Sequence, residues 1–288
     1  MSMQLISRRR PQATGAQPIA LPVTRDLTPA YAGSLIVALL VAVAAAGGLL
    51  FSSTVYPTEK VLLAYLPVDL FHLVVGLPIL LGSMWLARRG RLAGLLCWPG
   101  ALLYVLYSYI TNLVGVPFGM LFLPYLLLVA LSAYTTISLL TSIDGEAVRR
   151  RLGGAVPIRA AGGLLVGLTG LFVAINAANI VAGLADQTAD ALDLVPVWTA
   201  DFLVVIPTCL AAGILLWRHK ALGYVAGAGV LLQYSLLFFG LVAVLAFPAL
   251  YDGSLVAVGD IMSMLACGLL CAILLALFVR GAAPDRAS

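Results

Sequence analysis

DLFHLVVGLPILLGSMW, Asp69 to Trp85, is an apolar run that opens on a carboxylate and an imidazole and closes on an indole. Arg88, Arg89 and Arg91 follow at once. A second stretch has the same plan: DFLVVIPTCLAAGILLW, Asp201 to Trp217, followed by Arg218, His219 and Lys220. Asp and Trp stand equally far apart in both. We read the two as equivalent helices of a duplicated all-α membrane protein.

Composition requires a membrane. The chain is 62% hydrophobic and 10% charged, with mean hydropathy +1.09. A soluble domain carries about 25% charged residues, so this chain cannot hydrate its whole surface and must turn most of it to lipid. The pI is near 9.0, but the basic residues sit in short clusters beside apolar runs, with no basic stripe interleaved with aromatics. That pattern sets membrane orientation and excludes nucleic acid as a partner.

Eight spans follow from hydropathy, each close to the roughly 20 residues a bilayer core requires: about 31–55, 66–87, 92–114, 118–141, 160–184, 200–217, 221–247 and 254–279. With both termini in the cytoplasm, the inner segments hold fifteen of the sixteen Lys and Arg residues, and Lys60 alone lies outside. Adding or removing a span would invert half of the clusters, so the positive-inside rule selects this topology. The expected location is the plasma (inner) membrane. Residues 1–29 read as a disordered cytoplasmic tail, 30–142 as a first four-helix repeat, 143–159 as a cytoplasmic linker, 160–280 as a second repeat and 281–288 as a short tail. Repeats with an even number of spans run parallel, and transporters often place a site where such halves meet. Gly163-x-x-x-Gly167 and Gly223-x-x-x-Gly227 have the small-residue spacing of helix packing seams.

Ionisable groups inside a membrane are costly and are functional candidates by default. Asp69, His72, Asp201 and Asp260 qualify, all in the outer part of their spans. Asp69 and His72 share a helical face. Asp260 is expected about six residues into the eighth span, roughly 9 Å along the helix. These groups can form an outward-facing pocket for a proton, a cation or another small molecule. Alternatively, Asp69 and Asp201 cap the first turns of their helices. Asn176, Asn179, Tyr104, Gln233 and Tyr234 are candidates to line a polar cavity or to join helices by hydrogen bonds. Trp85, Trp98 and Trp217 lie near basic turns, where an interfacial belt is expected.

Other chemistry is narrowed by elimination. The four cysteines include no C-x-x-C pair, and Cys267 and Cys271, one turn apart, read as buried packing residues. His72 and His219 fall at opposite sides of the membrane and cannot clasp one haem. No lysine lies within a span to carry a retinal Schiff base. No cofactor and no metal is expected. Three functional classes stay open: a small transporter or permease; a membrane enzyme acting on a lipid or quinone, with His72 and Asp69 as acid and base; and a subunit or sensor that packs on a partner membrane protein.

Overall fold

The computed structural model describes residues 21–154, 156–186 and 192–282. Among them are eight helices long and apolar enough to cross a membrane. We label the helices α1 (Thr28–Leu50), α2 (Glu59–Arg88), α3 (Leu92–Gly115), α4 (Phe122–Ser142), the short α5 (Gly145–Leu152), α6 (Ile158–Asp186), α7 (Val195–Trp217), α8 (Ala221–Tyr251) and α9 (Val258–Gly281). The chain is a multi-pass, all-α membrane protein. Most of the N-terminal tail, with Arg8, Arg9 and Arg10, lies outside the described residues, as do Asp190 and Arg286.

The basic turns gather at one end. There the segment before α1 pairs with the segment after α4. Val23 and Ile143 form an antiparallel bridge, Thr24 N–H donates to Ser142 O at 2.9 Å, and Asp144 N–H donates to Pro22 O at 2.8 Å. The linker holds a helix that hydropathy alone does not register. Asp144 caps α5 by accepting from Ala147 N–H at 3.1 Å. Val148 and Leu152 are buried while Arg149 and Arg150 face out, so α5 is amphipathic.

Helices α3 and α8 form the centre. They cross where Gly100 meets Gly229, and a methyl group added at Gly100 would stand 2.1 Å from the Gly229 carbonyl oxygen. Only a residue without Cβ permits backbones to approach this closely. Each flanking helix then changes partner along its length. The Leu77–Arg88 half of α2 packs on α3, and its Glu59–Phe71 half packs on α8. In α7 the order is reversed: Ile206–Trp217 packs on α8, and Val195–Ala200 packs on α3.

At each change of partner the helix widens into a π turn, His72–Gly76 in α2 and Asp201–Val205 in α7. Leu77 N–H closes the first turn on His72 O, and Ile206 N–H closes the second on Asp201 O. A proline follows each, Pro78 and Pro207, and its missing N–H breaks the ordinary ladder. The two stretches therefore match with His72 opposite Asp201. The Asp–Trp spacing instead aligns Asp69 with Asp201, a register three residues away.

Several expectations are corrected by these boundaries. Both acidic helices begin earlier than hydropathy placed them, at Glu59 and Val195, so Asp69 and Asp201 lie within their spans and do not cap them. Gly163 and Gly167 face open space, whereas Gly162 packs on Gly213 and Trp217. Gly223 and Gly227 do form a seam, against Leu215 and Leu216. Trp85 and Trp217 are half-exposed, and the Arg89 guanidinium sits 3.7 Å from the Trp85 ring centre. Trp98 is no belt residue: it is fully buried and its Nε1–H donates to Ser34 Oγ at 2.8 Å. Ser34→Ala strands that indole donor, with an expected cost of about 1–3 kcal/mol. Thermal unfolding followed by Trp fluorescence checks it. A stability equal to wild type would show that the bond contributes nothing.

Candidate functional site

Asp69 stands about 28 Å from the basic end, counting back from Arg88 at about 1.5 Å per residue. That is close to the opposite edge of a hydrocarbon core about 30 Å thick. Its side chain is completely buried. The hydroxyl of Tyr56, in the connection after α1, donates to Oδ2. Gly48 of α1 makes room for the pair: a Cβ there would lie 1.9 Å from Oδ2 and 2.6 Å from the Tyr56 oxygen.

His72 is next along the same helix and is also fully buried. Its Nδ1 lies 2.9 Å from Val68 O. A carbonyl only accepts, so Nδ1 carries the hydrogen and Nε2 of the neutral ring is left as an acceptor. The ring packs between two phenols of α3, with centroids 5.1 Å from Tyr104 and 5.1 Å from Tyr109. Tyr109 in turn lies 5.7 Å from Tyr125 of α4, and Tyr125 neighbours Tyr56 and Asn112.

This group has a common property. Asp69 Oδ1, His72 Nε2 and Tyr109 Oη are buried without a hydrogen-bond partner among the described residues, and Tyr125 Oη and the Asn112 amide, which neighbour each other, form no hydrogen bond of ordinary geometry. Leaving one such atom unpaired costs about 1–3 kcal/mol. A buried cluster with such atoms open is a candidate site for a polar guest.

Asp201 belongs to a second group. It is buried at 2% exposure, and Asn176 Nδ2 of α6 donates to its Oδ2 at 2.9 Å. Tyr107 of α3 is its other neighbour, and Oδ1 has no partner among the described residues. Asn176→Leu is expected to cost about 1–3 kcal/mol by stranding the carboxylate, while Asn176→Leu with Asp201→Leu costs less than the single change. Unfolding in graded denaturant distinguishes them. Equal losses for single and double variants would contradict the pairing.

The four proposed acidic-site residues thus have different surroundings. Asp69 and His72 are neighbours, and Asp201 has its own partners. Asp260 is exposed in the first turn of α9, because that helix starts at Val258 and not at Ser254. Asn179 likewise faces outward from α6. Gln233 and Tyr234 are buried on α8; the Gln233 amide has no hydrogen-bond partner among the described residues, and Tyr234 neighbours Cys209 and packs on Phe172 and Phe238. Sequence reasoning missed Tyr56, Tyr125 and Gly48. Tyr56 lies in a stretch that reads as a loop, and a glycine that clears space for a carboxylate has no local signature. Among the described residues no group of three or more His, Cys, Asp or Glu could hold a metal ion.

The fold and this buried polar cluster define a multi-pass membrane protein with a polar site close to one face. Comparison with protein-family models, curated proteins and solved structures gives no match.

Proposed function

We propose that the protein is a small transporter whose site at Asp69 takes a proton or a small cation from the face opposite the basic turns. The observation that carries this reading is the convergence of unpartnered buried polar atoms around Asp69 and His72. A carboxylate oxygen and an imidazole nitrogen are both acceptors, and a proton or a cation satisfies acceptors. Two phenols and an amide, each able to donate or accept, complete the shell. The π turn that begins at His72 fits the same reading, since such turns are frequent at functional sites. Asp201 at the start of the second π turn is the counterpart of His72 in a duplicated architecture of two parallel four-span halves. The central crossing of Gly100 on Gly229 supports that duplication.

By the positive-inside rule, the basic clusters favour cytoplasmic termini in a plasma membrane, with the Asp69 end outside. The test is ion movement in vesicles. Proteoliposomes loaded with a pH-sensitive dye are given an external acid pulse, and parallel vesicles are tested with sodium or potassium gradients. Flux above that of empty vesicles, lost in Asp69→Asn, is the expected result. No flux of any of the three ions would overturn the proposal.

A second reading is favoured by a separate observation. Helices α6 and α9 pack mainly along one side, on α7 and α8 respectively, and much of each faces outward. That arrangement suits a subunit that offers these helices to a membrane partner.

A further inference from the structure

At the basic end, the start of α6 and the turn between α7 and α8 border an open surface depression of about 570 Å³. Val156, Pro157 and Ile158 give it an apolar wall, Arg159 and His219 a polar rim, and Tyr224 lines it from α8. We propose that this depression binds the phosphodiester headgroup of an anionic phospholipid.

Arg218 and Lys220 flank His219 in its turn, and Arg150 and Arg151 lie on α5 nearby in sequence. The acidic residues of this linker are engaged elsewhere: Asp144 caps α5, and Glu146 pairs with Arg149 at 2.8 Å. A guanidinium recognises phosphate oxygens in a planar, two-point geometry.

A free phosphate has no use for an apolar wall, whereas a lipid brings its glycerol and first methylenes with it. The depression opens where α6 begins its passage through the membrane. Trp217, half-exposed beside it, is placed like an interfacial anchor. The turn itself is held in an unusual shape. His219 is the one non-glycine residue with positive φ among the described residues, at 52°, and that conformation is uncommon outside glycine.

The experiment is lipid competition on the purified full chain in detergent. Native mass spectrometry is run with equal amounts of phosphatidylglycerol and phosphatidylcholine of the same acyl chains. Wild type is expected to carry phosphatidylglycerol in excess, and Arg159→Gln to lose about fivefold of that preference, the weight of one basic residue at a membrane surface. Ala160→Trp is expected to lose it as well, because Ala160 is exposed and lines the depression, so an indole fills the space without removing charge. Arg88→Gln, in the other basic turn, should keep the preference. Two results would overturn the proposal. One is an unchanged lipid preference in Arg159→Gln or Ala160→Trp. The other is displacement of the phosphatidylglycerol adduct by millimolar inorganic phosphate, which would make this a free-phosphate site.

Discussion

Gly100→Ala is expected to destabilise the protein by about 3 kcal/mol, the upper end of the usual cost of overpacking. The added methyl meets the Gly229 carbonyl at 2.1 Å, and a carbonyl within a helix cannot rotate away as a side chain tip can. The two central helices must therefore separate, and α2 and α7, each packed on both of them, must follow. Gly163→Ala and Gly167→Ala provide the contrast. Nothing lies within 4 Å of a Cβ at either position, so these variants should be neutral or gain up to about 1 kcal/mol in helix propensity. Unfolding in mixed micelles with increasing denaturing detergent orders the three. Equal stability of Gly100→Ala and wild type would mean that the α3–α8 crossing is looser than described.

The second large effect is functional. Gly48→Ala is expected to reduce ion flux in proteoliposomes at least tenfold, comparable to Asp69→Asn. Its methyl would stand 1.9 Å from Asp69 Oδ2, forcing the carboxylate away from Tyr56 and into the rest of the polar cluster. No charge is removed, so loss of flux would trace to the geometry of the site. Gly82→Ala is the control, because no atom lies within 4 Å of its Cβ. A Gly48→Ala protein that folds and conducts like wild type would place the working site elsewhere.

Span number and order were legible because hydropathy and basic clusters are properties of the chain itself. What was not legible depends on rotation and depth. A span that is apolar all round gives no sign of which face turns inward, so Asn179 and Asn176 read alike, although one faces outward and the other binds Asp201. Hydropathy misplaced the helix ends in both directions: α2 and α7 begin well before Asp69 and Asp201, which made these look terminal, whereas the apolar Leu255, Val256 and Ala257 precede α9 without joining it, which made Asp260 look deep. Proline positions carried a better register than the Asp–Trp spacing. Pro78 and Pro207 each fix a π turn, whereas Trp85 and Trp217 answer only to the interface. The partnership of Asp69 with Tyr56, across a break between two helices, could come only from packing.

The most direct measurement is infrared difference spectroscopy of the protein in lipid, wild type against Asp69→Asn, as acid or a sodium, potassium or other small-cation salt is added. A carboxyl band that changes on addition, and is missing from Asp69→Asn, is the predicted result. An Asp69 signal that stays constant across pH and in every added cation would contradict a proton or cation site at this carboxylate.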